Sequence, residues 1–241
     1  MDRKVSIVIP TYNERYNIIP LVNNIFEIMS GGISVNDGTE IIVVDDNSPD
    51  GTGQACQSLL SQCPSLKVVV RTNERGLGSA IMRGIMEATG ETIVVMDADF
   101  SHDCAVIPKL VSTLDSDSTD IAIASRFVSG GKMAASFYHC LGSRMLNSFV
   151  RIVSGIPVRD TTGGFFAVKR TALEGLDFGK VFRGYGDYCI ALLYKGVKKG
   201  WNIKEISFTY RPRANGSSKT RFFVAGFCYS IRALKLRLGL E

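Results

Sequence analysis

The sequence has few histidines and no paired-cysteine motif, which argues against a structural zinc site. Its 241 residues include two histidines and six cysteines, and no two cysteines stand in a C-x-x-C arrangement. His102 and His139 are far apart along the chain, so we expect His102 to cap or pack. The sequence contains no G-x-S-x-G motif, so nothing of this kind indicates covalent acyl chemistry. The scattered cysteines are typical of reduced thiols in a cytosolic environment.

The sequence also lacks long apolar runs and a dinucleotide-binding motif. The late apolar run at 222–231 is about half of the roughly 20 residues that a spanning helix needs. The start, MDRKVSIVIP, has no apolar stretch typical of a secretory signal. The glycines of RTNERGLGSA do not form G-x-G-x-x-G, and they follow the third predicted strand instead of the first. We therefore expect neither a spanning helix nor a dinucleotide-binding fold.

Charge is spread unevenly over the chain. The net charge is +5, and Lys195 to Arg237 contains many basic residues but only one acid, Glu205. A basic surface of this kind suits nucleic acid, phosphorylated ligands, an anionic membrane or plain solvent, and charge does not distinguish them.

The first half predicts a parallel sheet wrapped by helices. The runs VSIVIP, EIIVVD, LKVVVR, ETIVVMD and DIAIAS are nearly continuous apolar strands, and amphipathic segments at 17–29 and 78–89 lie between them. In such sheets ligands bind beyond the carboxyl ends of the strands. The fold class expected is α/β.

Polar residues follow several of these strands. PTYNE follows the first, DDNSPDGT the second, DADFS the fourth and SRF the fifth. Turn and capping chemistry explains some of these residues, but not acids at three strand ends. Asp97 and Asp99 at a strand exit suit Mg²⁺ or Mn²⁺, hard ions satisfied by one or two carboxylates together with phosphate oxygens.

The second half is less regular. We predict a helix at 137–154, a DTTGGFFAVKR segment at 160–170, a helix at 185–199, a strand in IKEISFTY and a basic helix from about residue 220. The last segment repeats apolar residues at helical spacing, with Arg and Lys between them. The expected division is a catalytic domain at 1–219 and an amphipathic helix at 220–241. That helix either lies on a membrane or packs on the domain.

Several of these segments together resemble a known family. VSIVIPTYNE, EIIVVDDNSPDGT, RGLGSAIMRG, IVVMDADFSH and RFVSGG, followed by DTTGGF and GSSK, resemble the inverting glycosyltransferases of family 2. Within that family they resemble the catalytic subunits of the dolichol-phosphate mannosyltransferases. The resemblance implies a GT-A fold, which is a Rossmann-like, mostly parallel sheet flanked by helices.

The resemblance also implies the residues of the site. The expected nucleotide-sugar site comprises Pro10, Tyr12, Glu14, Asp45, Asp46, Asp97, Ala98, Asp99, Arg126, Arg213 and Lys219. The catalytic residues among them are Asp99, Arg126 and Arg213. The metal ligands are Asp97 and Asp99, with Ser101 as the third candidate at a position where archaeal relatives carry glutamine. The acceptor phosphate would contact Arg126, Arg144 and Lys219.

The implied reaction transfers mannose from GDP-mannose to dolichyl phosphate with inversion, and it needs no strong general base because the acceptor phosphate is already ionised. The implied partners are a membrane surface, on the cytosolic face of the endoplasmic reticulum, and small transmembrane regulatory subunits. We expect no nucleic acid. Because many relatives continue into transmembrane helices, the chain is either of a short type or part of a longer one.

Three alternatives stay open. The first is a polyprenyl-phosphate glucosyltransferase that uses UDP-glucose. The second is a family-2 enzyme acting on a sugar hydroxyl, for which Asp187 would be the carboxylate base. The third is a non-catalytic nucleotide-binding module.

Overall fold

The computed structural model describes residues 4–30, 38–116, 118–215 and 222–240, and within them a mixed sheet is flanked by helices on both faces. The strands are β1 (Val5–Thr11), β2 (Thr39–Asp45), β3 (Leu66–Val70), β4 (Thr92–Val95), β5 (Ile121–Ser125), β6 (Lys132–Met133), β7 (Phe166–Lys169), β8 (Ile203–Ser207) and β9 (Thr209–Tyr210). Seven of them form one sheet in the order β3-β2-β1-β4-β7-β5-β8, and β6 pairs with β9.

The helices fill the connections. They are α1 (Arg15–Ser30), α2 (Thr52–Gln57), α3 (Leu77–Glu87), α4 (Ile107–Thr113), α5 (Phe137–Ser154), α6 (Arg170–Leu173), α7 (Phe178–Val181), α8 (Tyr188–Lys198) and α9 (Phe222–Leu238), with a 3-10 turn at Cys104–Val106. In the part of the chain that the structure describes, no helix is both long and apolar enough to cross a membrane.

The predicted parallel sheet is confirmed for β1 to β4, with one strand of opposite direction in the middle. β7 pairs antiparallel with both β4 and β5. The sequence FFAVKR contains this strand, but it is as apolar as its parallel neighbours, so its pattern gives no sign of direction. The sheet is therefore mostly parallel, as expected of an α/β fold.

The core lies on the two faces of the sheet. On β1, Ile7 and Ile9 pack toward α1, α2 and α4, whereas Val8 packs toward α3, α5, α8 and α9. Side chains of a strand alternate between faces, and both faces are covered, which explains why these strands are apolar throughout. All four residues from Ile7 to Pro10 are buried.

The C-terminal helix takes part in this core. Ala233 and Leu236 of α9 are buried in the cluster that contains α5 and α8. The division into 1–219 and 220–241 stays a prediction. The second half of α9 packs in the same cluster as α5 and α8, which lie within 1–219.

Two helical glycines differ in the space around them, and this gives a test of the packing. A Cβ at Gly84 in α3 would overlap Val8 of β1, whereas a Cβ at Gly226 in α9 would lie 4.0 Å from Leu146 Cδ2. Gly84→Ala should lower the free energy of unfolding, since overpacking costs about 1–3 kcal/mol and exceeds the gain of about 1 kcal/mol in helix propensity. Gly226→Ala should leave it unchanged or raise it. Urea denaturation measures both, and equal changes would contradict the packing described.

Candidate active site

A cavity of about 500 Å³ opens at the carboxyl ends of β1, β2 and β4. Its floor is charged and consists of Glu14, Asp46, Asp97, Asp99 and Arg213, which we call the charged floor. Facing it is a wall from α5, α9 and the loop before α8, which we call the helical wall. It consists of His139, Ser143, Leu146, Tyr185, Gly186, Tyr188, Ala225 and Tyr229.

Asp97 and Asp99 both line this cavity just beyond β4. The Asp97 side chain is 41% exposed, and Asp99 is buried. Desolvation in the cleft raises the pKa of Asp97, and the charge of Asp99 raises it further, while His102 opposes the shift. Two neighbouring carboxylates of this kind favour a bound cation.

His102 positions Asp97. Its ring stacks on Phe165 with centroids 4.9 Å apart, and its Nδ1 accepts a hydrogen bond from the Asp97 backbone N–H at 3.0 Å. The expectation that His102 packs is confirmed. Its contact with the backbone of the acid pair was not predictable from the sequence pattern.

Arg213 joins the ends of β1 and β4. Its guanidinium contacts Glu14 Oε1 at 2.5 Å and Asp99 Oδ2 at 3.3 Å. Asp99 is held further by the Ser101 backbone N–H at 2.9 Å. The structure thus brings together three residues that lie far apart in sequence. One arginine compensates two carboxylates that would otherwise repel each other.

The two aspartates after β2 have different surroundings. Asp46 lines the cavity, where it accepts hydrogen bonds from Arg71 Nε at 2.7 Å and the Gly76 backbone N–H at 2.8 Å. Asp45 is buried and accepts from Thr11 and from the backbone and hydroxyl of Ser48. It does not line the cavity. Asp45 therefore shapes the loop that presents Asp46.

Arg126 follows β5 and lines the cavity, but its guanidinium is already engaged. Its Nε and Nη2 donate to Asp160 at 2.7 and 2.6 Å, and Nη2 also reaches Thr162 at 3.0 Å. Burial lowers the pKa of Arg126, but the negative charge of Asp160 and these hydrogen bonds outweigh burial and raise it. Arg126 is thus a fixed and permanent cation.

Aromatic residues surround the rest of the cavity. Tyr188 is buried, and desolvation raises its pKa well above the ordinary value. Desolvation likewise raises the pKa of Tyr210, as does the charge of Asp99, whereas the Ser101 hydroxyl acts in the opposite direction. Both phenols stay protonated and can donate hydrogen bonds. On the opposite side, the Arg75 guanidinium lies 5.2 Å from the ring centroid of Tyr12, and both residues line the cavity.

The remaining predicted site residues are placed as follows. Pro10, Tyr12 and Ala98 line the cavity. Ser101 is buried and does not belong to the cavity lining. Arg144 is exposed on α5, 5.9 Å from the Phe127 ring centroid, and does not line the cavity. Lys219 lies outside the described residues. The roles of all these residues remain predictions.

Asp187, the candidate base for a hydroxyl acceptor, does not line the cavity. It stands before α8, accepts a hydrogen bond from the Tyr185 backbone at 3.0 Å and lies 3.8 Å from Arg232 Nε. An acid held by an arginine outside the cavity is poorly placed to take a proton from an acceptor.

The charged floor fits a divalent cation only as a site of two carboxylates. Within the described ranges, no group of three or more His, Cys, Asp or Glu side chains could hold a metal. Asp97 is accessible and Asp99 is adjacent, and Mg²⁺ commonly takes one or two carboxylates and completes its shell with water and phosphate oxygens. The donor set therefore fits a cation that binds together with a diphosphate.

Residues that sequence reasoning missed lie behind the predicted ones. Asp160 and Asn147 are buried, and Asn147 binds Thr161 N–H at 2.7 Å while Asp160 holds Arg126. The segment DTTGGF, which contains Asp160, is one of those on which the family resemblance rests, and that resemblance is the signal that could have pointed to Asp160. Arg71 directly follows the edge strand β3, and no sequence motif marked it as a site residue.

The chain is similar to proteins of known activity over most of its length. The profile of the family described as "Glycosyl transferase family 2" matches residues 6–177. The "Dolichol-phosphate mannosyltransferase" of Pyrococcus furiosus is 42% identical over 90% of this chain and 59% of its own. The "Polyprenol monophosphomannose synthase" of Mycolicibacterium smegmatis is 32% identical over 90% of this chain and 81% of its own. A "Dolichol-phosphate mannosyltransferase" of Saccharomyces cerevisiae is 31% identical over 91% of this chain and 82% of its own.

Solved structures support the fold. Glucosyl-3-phosphoglycerate synthase from Mycobacterium tuberculosis, in complex with Mn²⁺, UDP and glucosyl-3-phosphoglycerate, superposes with a TM-score of 0.72 at 22% identity. The match covers 98% of this chain and 80% of that one. The expected GT-A-like fold is thereby confirmed. The chain spans 59% of the length of the Pyrococcus relative and a larger share of the other two.

The Arg126–Asp160 pair gives a test of the site's internal support. Asp160→Asn should lower the free energy of unfolding by about 3–5 kcal/mol, because it leaves a largely buried guanidinium without its counter-charge. Glu87→Gln is the matched control: its partners Lys67 and Arg83 are both about half exposed, so the loss should be under about 1 kcal/mol per pair. Chemical denaturation measures both. Similar small losses would show that Asp160 does not hold Arg126 in the folded protein.

Proposed function

The chain belongs to glycosyltransferase family 2, and from that premise we propose that it transfers mannose from GDP-mannose to dolichyl phosphate or a similar polyprenyl phosphate, with inversion. The observation that carries the proposal is one cavity that holds the accessible Asp97 beside the buried Asp99, together with two arginines that are paired with acids, Arg126 and Arg213. The sugar and the class of acceptor follow the names of the relatives. GDP as the donor nucleotide follows the resemblance of the motifs.

The donor would lie on the charged floor. Asp97 and Asp99 would hold Mg²⁺ or Mn²⁺, and the cation would supply positive charge to the departing diphosphate. The nucleoside would extend toward Pro10, Tyr12 and Arg75 at the ends of β1 and β3. Arg213 compensates Asp99 and Glu14 in the free protein, so a cation on Asp99 leaves its guanidinium available for phosphate oxygens.

The acceptor would lie between Arg126 and the helical wall. A phosphate monoester is largely ionised at neutral pH, so its oxygen attacks without a general base. In the described part of the chain, Asp46, Asp99 and Glu14 are each paired with an arginine, and Asp187 lies outside the cavity. Asp97, the remaining carboxylate of the cavity, would be taken up by the cation. This arrangement favours a phosphate acceptor over a hydroxyl acceptor, which would need a free carboxylate base.

The protein would work at a membrane surface, because a polyprenyl tail does not leave the bilayer. α5 exposes Phe137, Leu141, Met145 and Ile152, and α9 exposes Val224, Phe227, Leu234 and Leu238. Exposed basic residues, Arg144, Arg151, Lys235 and Arg237, accompany them. Both helices also belong to the helical wall, so an interfacial position would bring the cavity to headgroup height. We place the protein peripherally on the cytosolic face of the endoplasmic reticulum, where small transmembrane subunits would strengthen its attachment.

The metal role is tested with acid-to-amide variants. Asp97→Asn and Asp99→Asn should each lower kcat/KM at least about a hundredfold, because charge on the leaving group is no longer compensated. Nucleotide-dependent Mn²⁺ binding, measured by calorimetry, should weaken in parallel. Asp103→Asn, an acid four residues beyond Asp99 that lies outside this cavity, should behave like wild type. Wild-type rates for both variants in excess chelator would rule the metal role out.

The membrane role is tested with surface variants, since Ala233 and Leu236 make deletion of α9 damaging to the core. Phe227→Ser with Leu238→Ser should reduce co-sedimentation with anionic vesicles several-fold, because each serine removes roughly 2 kcal/mol of apolar transfer free energy. High salt should weaken binding of wild type as well. Met86→Ser, on the exposed face of α3, is the control for apolar loss elsewhere. Unchanged sedimentation of the double variant would show that α9 is not the anchor.

A further inference from the structure

The helix α9 contacts the rest of the protein in two different ways. Toward its C-terminal end, Arg232, Ala233 and Leu236 are buried. Toward its N-terminal end, Ala225 and Tyr229 line the cavity, while Val224 and Phe227 are exposed. The same helix therefore has a buried attachment, a face in the helical wall and an outer apolar face.

Arg232 makes the polar part of the attachment. Its Nη2 donates to the Lys180 carbonyl oxygen at 2.5 Å, and its Nε lies 3.8 Å from Asp187 Oδ2. The side chains of Arg232 and Asp187 are only 6% and 16% exposed. An ion pair on the surface would contribute little to stability. With this degree of burial, removing one partner is strongly destabilising, because the other charge stays buried without compensation.

Asp187 belongs to the other side of the wall. Its Oδ1 accepts a hydrogen bond from the Tyr185 backbone N–H at 3.0 Å, which closes a tight turn before α8. Tyr185, Gly186 and Tyr188, all next to it, line the cavity. The Arg232–Asp187 ion pair therefore ties this turn to α9.

A second contact between α9 and the turn lies near the ion pair, where Tyr229 approaches Gly186 closely. A Cβ at Gly186 would overlap the Tyr229 hydroxyl, so only glycine lets α9 come this near to the turn. The Tyr229 phenol is largely desolvated, which raises its pKa and keeps it protonated. The wall therefore consists of two segments that touch in the cavity and are paired behind it.

We propose that Arg232 and Asp187 are positioning residues that hold α9 against the Tyr185–Tyr188 turn and so set the shape of the acceptor side of the cavity. The proposal rests on the proposed function only in assigning the helical wall to the acceptor. The carboxylates of the charged floor follow β1, β2 and β4, whereas Asp187 and Arg232 belong to the turn before α8 and to α9. Loosening the pair should therefore disturb acceptor binding and leave donor binding intact.

The test compares Arg232→Met, Asp187→Asn and the double variant with wild type, using a short-chain polyprenyl phosphate so that membrane binding does not enter. KM for the acceptor should rise on the order of tenfold or more in each single variant, since small displacements in a site have effects of this size. KM for GDP-mannose and the Kd of GDP should stay within about twofold. The double variant should resemble the singles, because both residues serve one contact.

Arg232→Lys keeps the charge and should restore part of the acceptor affinity lost in Arg232→Met. Arg83→Met is the matched control, because it removes an exposed arginine from α3, outside the cavity lining, and should change neither KM. Amide hydrogen exchange, which needs no substrate, should be faster in α9 and in the turn at 184–188 for the single variants, and unchanged in β1 and β4.

Two results would overturn the proposal. One is an equal rise of both KM values, which indicates general destabilisation, and the other is unchanged exchange in α9 and the turn. If wild type transfers no mannose, the proposed function fails, and the exchange comparison still decides whether the pair positions the wall.

Discussion

Compensation of negative charge at the carboxyl edge of the sheet is the constraint on which this structure depends. Adjacent strands end in Glu14, Asp46 and Asp99, whose carboxylates share one cavity. Arg213 pairs with the first and the third, and Arg71 pairs with the second. Without these arginines, the three carboxylates would repel one another in a site that gives them little solvation.

The same compensation determines what the site can do. Asp97 is the cavity carboxylate that has no arginine within ion-pair distance in the described part of the chain, and its side chain is the accessible one. Asp97 is therefore the carboxylate whose negative charge a bound metal cation would compensate most. The arginines that balance the other acids are held rigidly, so they meet phosphate groups without a large loss of side-chain entropy. Arginines that pair with carboxylates in the free protein can pair with phosphate groups when a ligand binds.

Much of the fold and part of the site followed from the sequence. Continuous apolar strands predicted the parallel half of the sheet, and the polar residues after them predicted where the cavity lies. Tyr12, Glu14, Asp46 and Asp99 line this cavity, and their assignment to the site came from the family resemblance. The position of the cavity itself follows from the rule that parallel strands end at a common edge.

Pairings between distant segments were not predictable. The Glu14–Arg213 contact spans 199 positions, and no spacing in the sequence encodes it. The direction of β7 and the engagement of Arg126 by Asp160 depend on tertiary packing, as does the burial of Ala233 in α9. Asp45 and Asp46 are neighbours with equal local signals, and only the structure separates the loop-shaping acid from the cavity acid.

The most direct measurement compares two donors on one acceptor. Initial rates of sugar transfer from GDP-mannose and from UDP-glucose to polyprenyl phosphate are measured in the same anionic vesicles, with Mg²⁺ and with excess chelator. We predict transfer from GDP-mannose that requires the cation, and little transfer from UDP-glucose. Equal or faster use of UDP-glucose, or transfer that persists undiminished in chelator, would contradict this prediction.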